Sequence, residues 1–204
     1  LEYYSILTSM KLHFRHWIAW DAATSPMGNS LQPAHYGILY FVKDPALCKV
    51  YELRMPHKRC RIKKCNTLLK DYGGKKESIH PFGPLVSDVW SDIHRCKHDI
   101  HKDAHPCQLP IHLMERLILL CTDEGDSVFD CFMGSGTTAM AAKKLGRQYF
   151  GTELSEKYVD ICNRKLDAMT VRSQLDGIWV SCYLNRILTA RDCDIFDRKG
   201  KTFR

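Results

Sequence analysis

The chain has 204 residues, 45% of them hydrophobic and 26% charged, with ten cysteines and a formal net charge of +7. These values exclude a fibrous or wholly disordered chain and supply enough residues for one ordinary core, or slightly more. No apolar run reaches the ~18 residues of a membrane-spanning helix, and LEYYSILTSMKLHFRHW lacks a charged leader, an apolar stretch and a small-residue cleavage site in succession, so no signal peptide is expected.

The chain opens on Leu1 rather than Met, inside a stretch already patterned like structure, which predicts the back part of a longer polypeptide. HWIAW (16–20) and HYGILYFV (35–42) read as strands rich in aromatic and branched residues, separated by the turn-prone TSPMGNS. The charge is concentrated next. Between positions 49 and 76 stand ten basic and two acidic residues, a local +8, while the remaining 176 residues sum to about −1. Such a stretch suits a polyanion; the plainer reading is a solvated polar face.

PIHLMERLILLCT (110–122) predicts a helix with Leu113, Leu117, Leu120 and Cys121 on one face and Pro110 in the first turn. SVFDCF (127–132) reads as a short apolar strand, and GTTAMAAKKLG (136–146) as an alanine-rich helix closed by Gly146. QYFGTEL (148–154) follows as a strand, and SEKYVDICNRKLDAM (155–169) as a helix capped by Ser155, with Tyr158, Ile161, Cys162 and Leu166 inward. The tail holds one more strand-like run (178–184). Alternating helices and strands imply right-handed crossovers and a mainly parallel sheet covered on both faces, an α/β fold. The cysteines lie in apolar stretches (Cys121, Cys131, Cys162, Cys182) and predict buried thiols in a reducing cytosol rather than a disulfide frame.

The most informative segment is FDCFMGSGTTAMAAKKLGRQYFGTELSEKY. A strand ends near Asp130 and Phe132, turns through Gly134, Ser135 and Gly136, and enters a helix. Glycines let a backbone approach a ligand closely, and free amides at a helix start favour electron-rich groups. Glu153, at the end of the next strand, stands where a carboxylate accepts hydrogen bonds from the ribose of an adenosine cofactor. A lone glycine turn would be weak, since tight turns need glycine for structure alone; the acid at this spacing strengthens it. Ala139 is a permitted substitute for the third glycine of a dinucleotide loop, so NAD stays open. A P-loop does not fit, because no Lys-Ser or Lys-Thr follows the second glycine.

DCFMGSGTTAMAAKKLGRQYFGTEL resembles the S-adenosylmethionine-binding motif of DNA amino-methyltransferases, D-P-F-x-G-S-G-T-T, with Cys131 in place of proline. HPCQLPIHLMERLI (105–118) resembles the same family's second cofactor motif, H-P-x-Q-x-P-x-x-L-x-x-R, with Leu109 where many relatives have lysine. The order of motifs is that of the permuted beta type. The resemblance implies a Rossmann-like class I methyltransferase fold with a basic recognition insert. By it, residues 1–43 are the last strands of the catalytic half, 44–104 target recognition, 105–168 the cofactor motifs and 169–204 a C-terminal extension. It implies that Asp130, Phe132, Gly134, Ser135, Gly136 and Thr137 line the methionine and ribose part of S-adenosylmethionine, with Thr138 beside them at the helix start. Glu153 would bind its ribose, and His105, Pro106, Gln108 and Pro110 would close the other side. Lys58, Arg59, Arg61, Lys63 and Lys64 become contacts to double-stranded DNA. The implied activity is site-specific methylation of an exocyclic base amine within restriction-modification, adenine N6 preferred over cytosine N4, in a prokaryotic or phage-type cytoplasm.

Methyl transfer to a conjugated amine requires a flipped base and an acceptor for its N–H protons. The family supplies these with D-P-P-Y or S-P-P-Y, and neither occurs in the sequence. TSPM (24–27) has one proline and no aromatic and reads as a turn. The expectation is that the catalytic motif lies upstream of Leu1; the alternative is a catalytically incomplete DNA-binding relative that keeps the cofactor fold. A truncated α/β half also predicts a homodimer or a complementing chain. Cys60 and Cys65 flank RIKK near His57 and Cys48, but the C-x4-C spacing lacks a second pair, so no metal is expected. The histidines between 94 and 112 read as a polar loop.

Overall fold

The computed structural model describes residues 2–22, 35–53, 85–96 and 107–169. Leu1–Val50 with Ser87–Ser173 form one compact unit, and Tyr51–Val86 with Gln174–Arg204 a second. In the second unit, the Val86 amide donates to the Leu53 carbonyl at 2.8 Å. All the regular elements below belong to the first.

Helix α1 (Glu2–Ser9) leads into β1 (His13–Asp21), which pairs antiparallel with β2 (His35–Val42) from His13 opposite Val42 to Asp21 opposite His35. A register shift between Phe14 and His16 marks an irregularity in β1. The short β3 (Val89–Trp90) runs parallel to β1, so the order in this sheet is β2-β1-β3. Alternation gives the sheet its buried side: Ile18 and Trp20 are buried while Trp17 is half exposed. The Trp20 indole N–H donates to the Ile93 carbonyl at 2.8 Å, so burial of the ring leaves its polar atom satisfied.

Helix α2 (Ile111–Cys121), strand β4 (Ser127–Asp130), helix α3 (Thr137–Lys144), strand β5 (Gln148–Gly151) and helix α4 (Glu156–Ala168) follow as the sequence pattern predicts. β4 and β5 are parallel, with Phe129 opposite Phe150. The expected parallel pairing therefore holds for β4–β5 and for β1–β3, and the β1–β2 hairpin is antiparallel. Helix α3 packs against both α2 and α4. Its fully buried Ala139, Ala141 and Ala142 let neighbouring helices come close. Gly146 ends it as predicted, with φ +72°: its amide reaches Lys143 O at 3.1 Å and the Arg147 amide reaches Ala142 O at 2.8 Å, the two bonds of a Schellman motif.

Some expectations are corrected. Both strands are shorter than predicted, ending at Asp130 and Gly151. Beyond them the backbone enters turn bonds instead of a ladder: Phe132 N–H donates to the Asp130 carboxylate at 2.9 Å and Met133 N–H to Thr152 O at 2.9 Å. Cys131 therefore lies in a turn and is exposed; Cys121 is half-buried and Cys162 buried. Cys182 lies outside the described residues. In α2, Leu113 is buried, whereas Leu117, Leu120 and Cys121 are only partly so; Glu115, Arg116, Ile118 and Leu119 are the other buried positions. Ser155 occupies the cap position of α4, but its hydroxyl makes no capping bond.

The two charges buried in α2 are paired, as burial requires. Arg116 grips Asp92 with both terminal guanidinium nitrogens, Nη1 at 3.0 Å and Nη2 at 2.5 Å, and lies 4.9 Å over the Trp90 ring. It thereby ties α2 to the end of β3. Glu115 receives the Lys144 ammonium at 3.0 Å and the His112 ring at 2.8 Å. Burial alone would push its carboxyl up; the His112 hydrogen bond and the Lys144 charge outweigh that and hold it below its ordinary value. No described helix is long and apolar enough to cross a membrane.

Candidate functional site

The β4–α3 turn and the end of β5 meet at the same end of the parallel pair. Asp130, last in β4, accepts the Phe132 amide on Oδ1 at 2.9 Å and the Thr138 hydroxyl on Oδ2 at 2.6 Å. This carboxylate ties the strand end both to the turn and to the first turn of α3. The Thr152 amide donates to Asp130 O at 3.1 Å and its hydroxyl to Cys131 O at 2.7 Å, joining the β5 exit to the β4 exit.

Gly134 and Gly136 both have positive φ, +55° and +87°. At Gly136 glycine is also demanded by space, because a Cβ would lie 2.3 Å from the Cys162 sulfur of α4. Glu153 reaches back 19 residues: its Oε2 accepts the Gly134 amide at 2.8 Å and its Oε1 the Ser155 amide at 2.9 Å. A carboxylate has roughly four lone-pair sites, so such a group has the capacity to accept more than these two amides. Lys165 of α4 donates to Ser135 O at 3.3 Å; burial lowers its pKa.

A cavity of about 400 Å³ lies between β5, α4 and this turn, lined in part by Met133, Gly134, Tyr149, Glu153, Cys162 and Asn163. Of the residues expected to touch the cofactor, Gly134 and Glu153 line it, as do Ala139, Cys162 and Leu166, which the sequence also marks. Ser135, Gly136 and Thr137 are buried in the turn, while Phe132 is exposed beside it. Gln108 and Pro110 precede α2, where Pro110 is the N-cap residue and Leu113 N–H donates to its carbonyl at 3.0 Å. His105, Pro106, Lys58, Arg59, Arg61, Lys63, Lys64, Cys60, Cys65, His57 and TSPM (24–27) lie outside the described residues. Met133, Tyr149 and Asn163 were not singled out from sequence. Tyr149 had a strand signal and Met133 a place inside the glycine turn, but nothing local marks either as facing a cavity.

The family model described as DNA methylase, for the N6 and N4 enzymes, matches residues 4–164. The chain belongs to this DNA methylase family. It is 40% identical over 153 residues to the type II methyltransferase M.BamHI of Bacillus amyloliquefaciens, covering 74% of this chain and 36% of that protein. With the type II methyltransferase M1.MboII of Moraxella bovis it shares 35% over 177 residues, covering 81% of this chain and 67% of that one. The chain thus spans from about a third to about two thirds of the length of these relatives. The crystal structure of an M1.HpyAVI–SAM complex superposes with a TM-score of 0.54 at 22% identity, over 80% of this chain and 67% of that one. That likeness concerns the fold, and it agrees with the Rossmann-like class I methyltransferase architecture expected for this DNA methylase family member.

Proposed function

We propose that this chain binds S-adenosylmethionine and double-stranded DNA, as the cofactor-carrying and target-recognising part of a site-specific DNA amino-methyltransferase. The observation that carries this reading is the Glu153 carboxylate, 2.8 Å from the Gly134 amide at the paired strand ends. A carboxylate beside a glycine turn and an adjoining cavity is what an adenosine ribose with two vicinal hydroxyls requires. The turn fits the group as well: at Gly134 no side chain intervenes between backbone and ligand, and Gly136 lets α3 start immediately against α4.

In this reading Asp130, Phe132, Gly134, Ser135, Gly136 and Thr137 form the wall of the cofactor site, with Thr138 beside them at the start of α3. Glu153 holds the ribose, and His105, Pro106, Gln108 and Pro110 close the opposite side. S-adenosylmethionine supplies a methyl group on a sulfonium, poised for transfer to the exocyclic amine of adenine N6 or cytosine N4. The chain's own part is to fix that group and exclude alternative poses; no metal is required for such a transfer. Lys58, Arg59, Arg61, Lys63 and Lys64 attract the phosphates of the duplex, and the ions released set a salt-dependent affinity. The D/S-P-P-Y tetrapeptide is not among the 204 residues, so the groups named here carry cofactor and DNA rather than the proton of the target amine.

Titration calorimetry tests the cofactor half. S-adenosylhomocysteine and S-adenosylmethionine should bind in the micromolar range and NAD should not; NAD binding in preference to both would end the proposal. For DNA, reversing all five basic charges should reduce duplex affinity and flatten its dependence on salt. Unchanged affinity and slope would remove the assignment of that stretch.

A further inference from the structure

We propose that Thr138 is a positioning residue, which acts on the cofactor site through Asp130 rather than by lining it. This rests on the cofactor reading above. The Thr138 hydroxyl has a single proton to donate. It stands 2.6 Å from Asp130 Oδ2 and 3.3 Å from the Met114 sulfur of α2. An ionised carboxylate is a far better acceptor than a thioether, so the proton goes to Asp130 and the Met114 sulfur is left as a contact of the hydroxyl oxygen. Spent in this way, the hydroxyl has no proton left for a ligand.

Asp130 is then held at both oxygens. Oδ1 takes the Phe132 amide at 2.9 Å, the first amide past the neighbouring residue of the turn. With Oδ2 fixed by Thr138, the plane of the carboxylate is set, and with it the direction in which the chain leaves β4 towards Gly134. Thr138 sits in the first turn of α3, and α2 reaches it through Met114, so the hydroxyl joins β4, α3 and α2. A valine at this position has the same shape without the donor; a serine keeps the donor and loses a methyl.

The experiment is a double-mutant cycle on the full 204-residue chain, read by S-adenosylhomocysteine calorimetry and by thermal melting. Thr138→Val should weaken binding about ten-fold, the loss expected for one charge-assisted hydrogen bond. Thr138→Ser should return binding to within about two-fold of the parent. With Asp130→Ala in place, adding Thr138→Val should cost nothing further, because the partner through which Thr138 acts is gone. Additive losses in the double variant, or a Thr138→Ser protein as weak as Thr138→Val, would overturn the proposal. Should Asp130→Ala fail to fold, Asp130→Asn replaces it in the cycle, where Thr138→Val should cost less than in the parent and an undiminished cost would overturn the proposal. Glu153→Ala separates this proposal from the reading beneath it. If Glu153→Ala and Asp130→Ala weaken binding and Thr138→Val does not, the role of Thr138 is wrong and the cofactor site stands. If none of them changes binding, the site itself is wrong and the role of Thr138 falls with it.

Discussion

Glu153 closes the glycine turn on itself: its carboxylate, at the exit of one parallel strand, receives the Gly134 amide from the exit of the other at 2.8 Å. The second oxygen receives the Ser155 amide at 2.9 Å and so sets the approach to α4 as well. One side chain therefore orders the turn and the helix entry before any ligand arrives, which reduces what binding must organise.

Glu153→Ala should consequently lose on two counts. Two backbone amides lose a charged acceptor, worth about 1.5–3 kcal/mol of stability in a urea unfolding curve. S-adenosylhomocysteine affinity should fall at least about ten-fold by calorimetry. Glu153→Gln, with one carbonyl in place of two acceptor oxygens, should recover part of the stability. An alanine variant that binds and unfolds like the parent would remove Glu153 from the site.

At Gly136 the prediction concerns packing. Alanine there must adopt φ near +87° and place its Cβ 2.3 Å from the Cys162 sulfur. Left-handed backbone costs about 1–2 kcal/mol and overpacking about 1–3 kcal/mol, so Gly136→Ala should be among the most damaging single changes in the β4–α3 turn. Pairing it with Cys162→Ala should return only part of the loss, since the Cys162 Cβ and Cα still stand at 3.0 and 3.3 Å. Denaturant midpoints at constant slope measure both.

Arg116 is nearly inaccessible, whereas the side chain of Asp92 is 31% exposed. Arg116→Met should therefore cost about 2–3 kcal/mol, below the roughly 3–5 expected when a wholly buried pair is broken. Arg116→Lys should not restore it, because an ammonium supplies neither the two-pronged grip nor the flat stacking on Trp90. In Asp92→Asn the loss from Arg116→Met should shrink, a coupling that chemical unfolding of the four proteins reveals.

The Glu115 carboxyl titrates below its ordinary value of 4.5 in the folded chain. Its contribution to stability is thus complete above that value and is lost as pH falls through the lower, folded-state one. Unfolding free energy measured from about pH 6 down to about pH 3 should drop more steeply in the parent than in Glu115→Gln. At neutral pH the glutamine variant should be the less stable, because it leaves the Lys144 ammonium without its counter-charge. Parallel curves would mean that Glu115 plays no part in acid sensitivity.

The stretch from β4 to α4 was legible because its signals are local. Apolar runs of the right length, a glycine turn, an alanine-rich helix and Gly146 each announce themselves within a few neighbours. The period of α4 turns Cys162 and Leu166 inward, and they are buried. Other parts depend on partners far along the chain. Nothing in IHLMERLILLC says that Arg116 is buried, since the fact is made by Asp92 and Trp90; helical periodicity instead favours Leu117 and Leu120, which are half-buried. Helix α1 carries no buried residue and gave no periodic signal, and β3 has only two residues, too few for any pattern. Glu153 was placed beside the turn by spacing, but its grip on the Gly134 amide is tertiary geometry.

Lys49, the first of the ten basic residues, has an ammonium engaged within the fold, 2.7 Å from Asp126 and 3.1 Å from Asp123. The hydrogen bonds to Asp126 and Asp123 push its pKa up to about 12, so it stays protonated at any physiological pH. The same Asp126 immediately precedes β4, whose far end is Asp130. The root of the basic stretch is thus moored to the foot of the strand that carries the glycine turn at its top. Lys49 therefore meets any polyanion with its charge already answered by two carboxylates, and it adds less to such an attraction than its place in the basic stretch suggests.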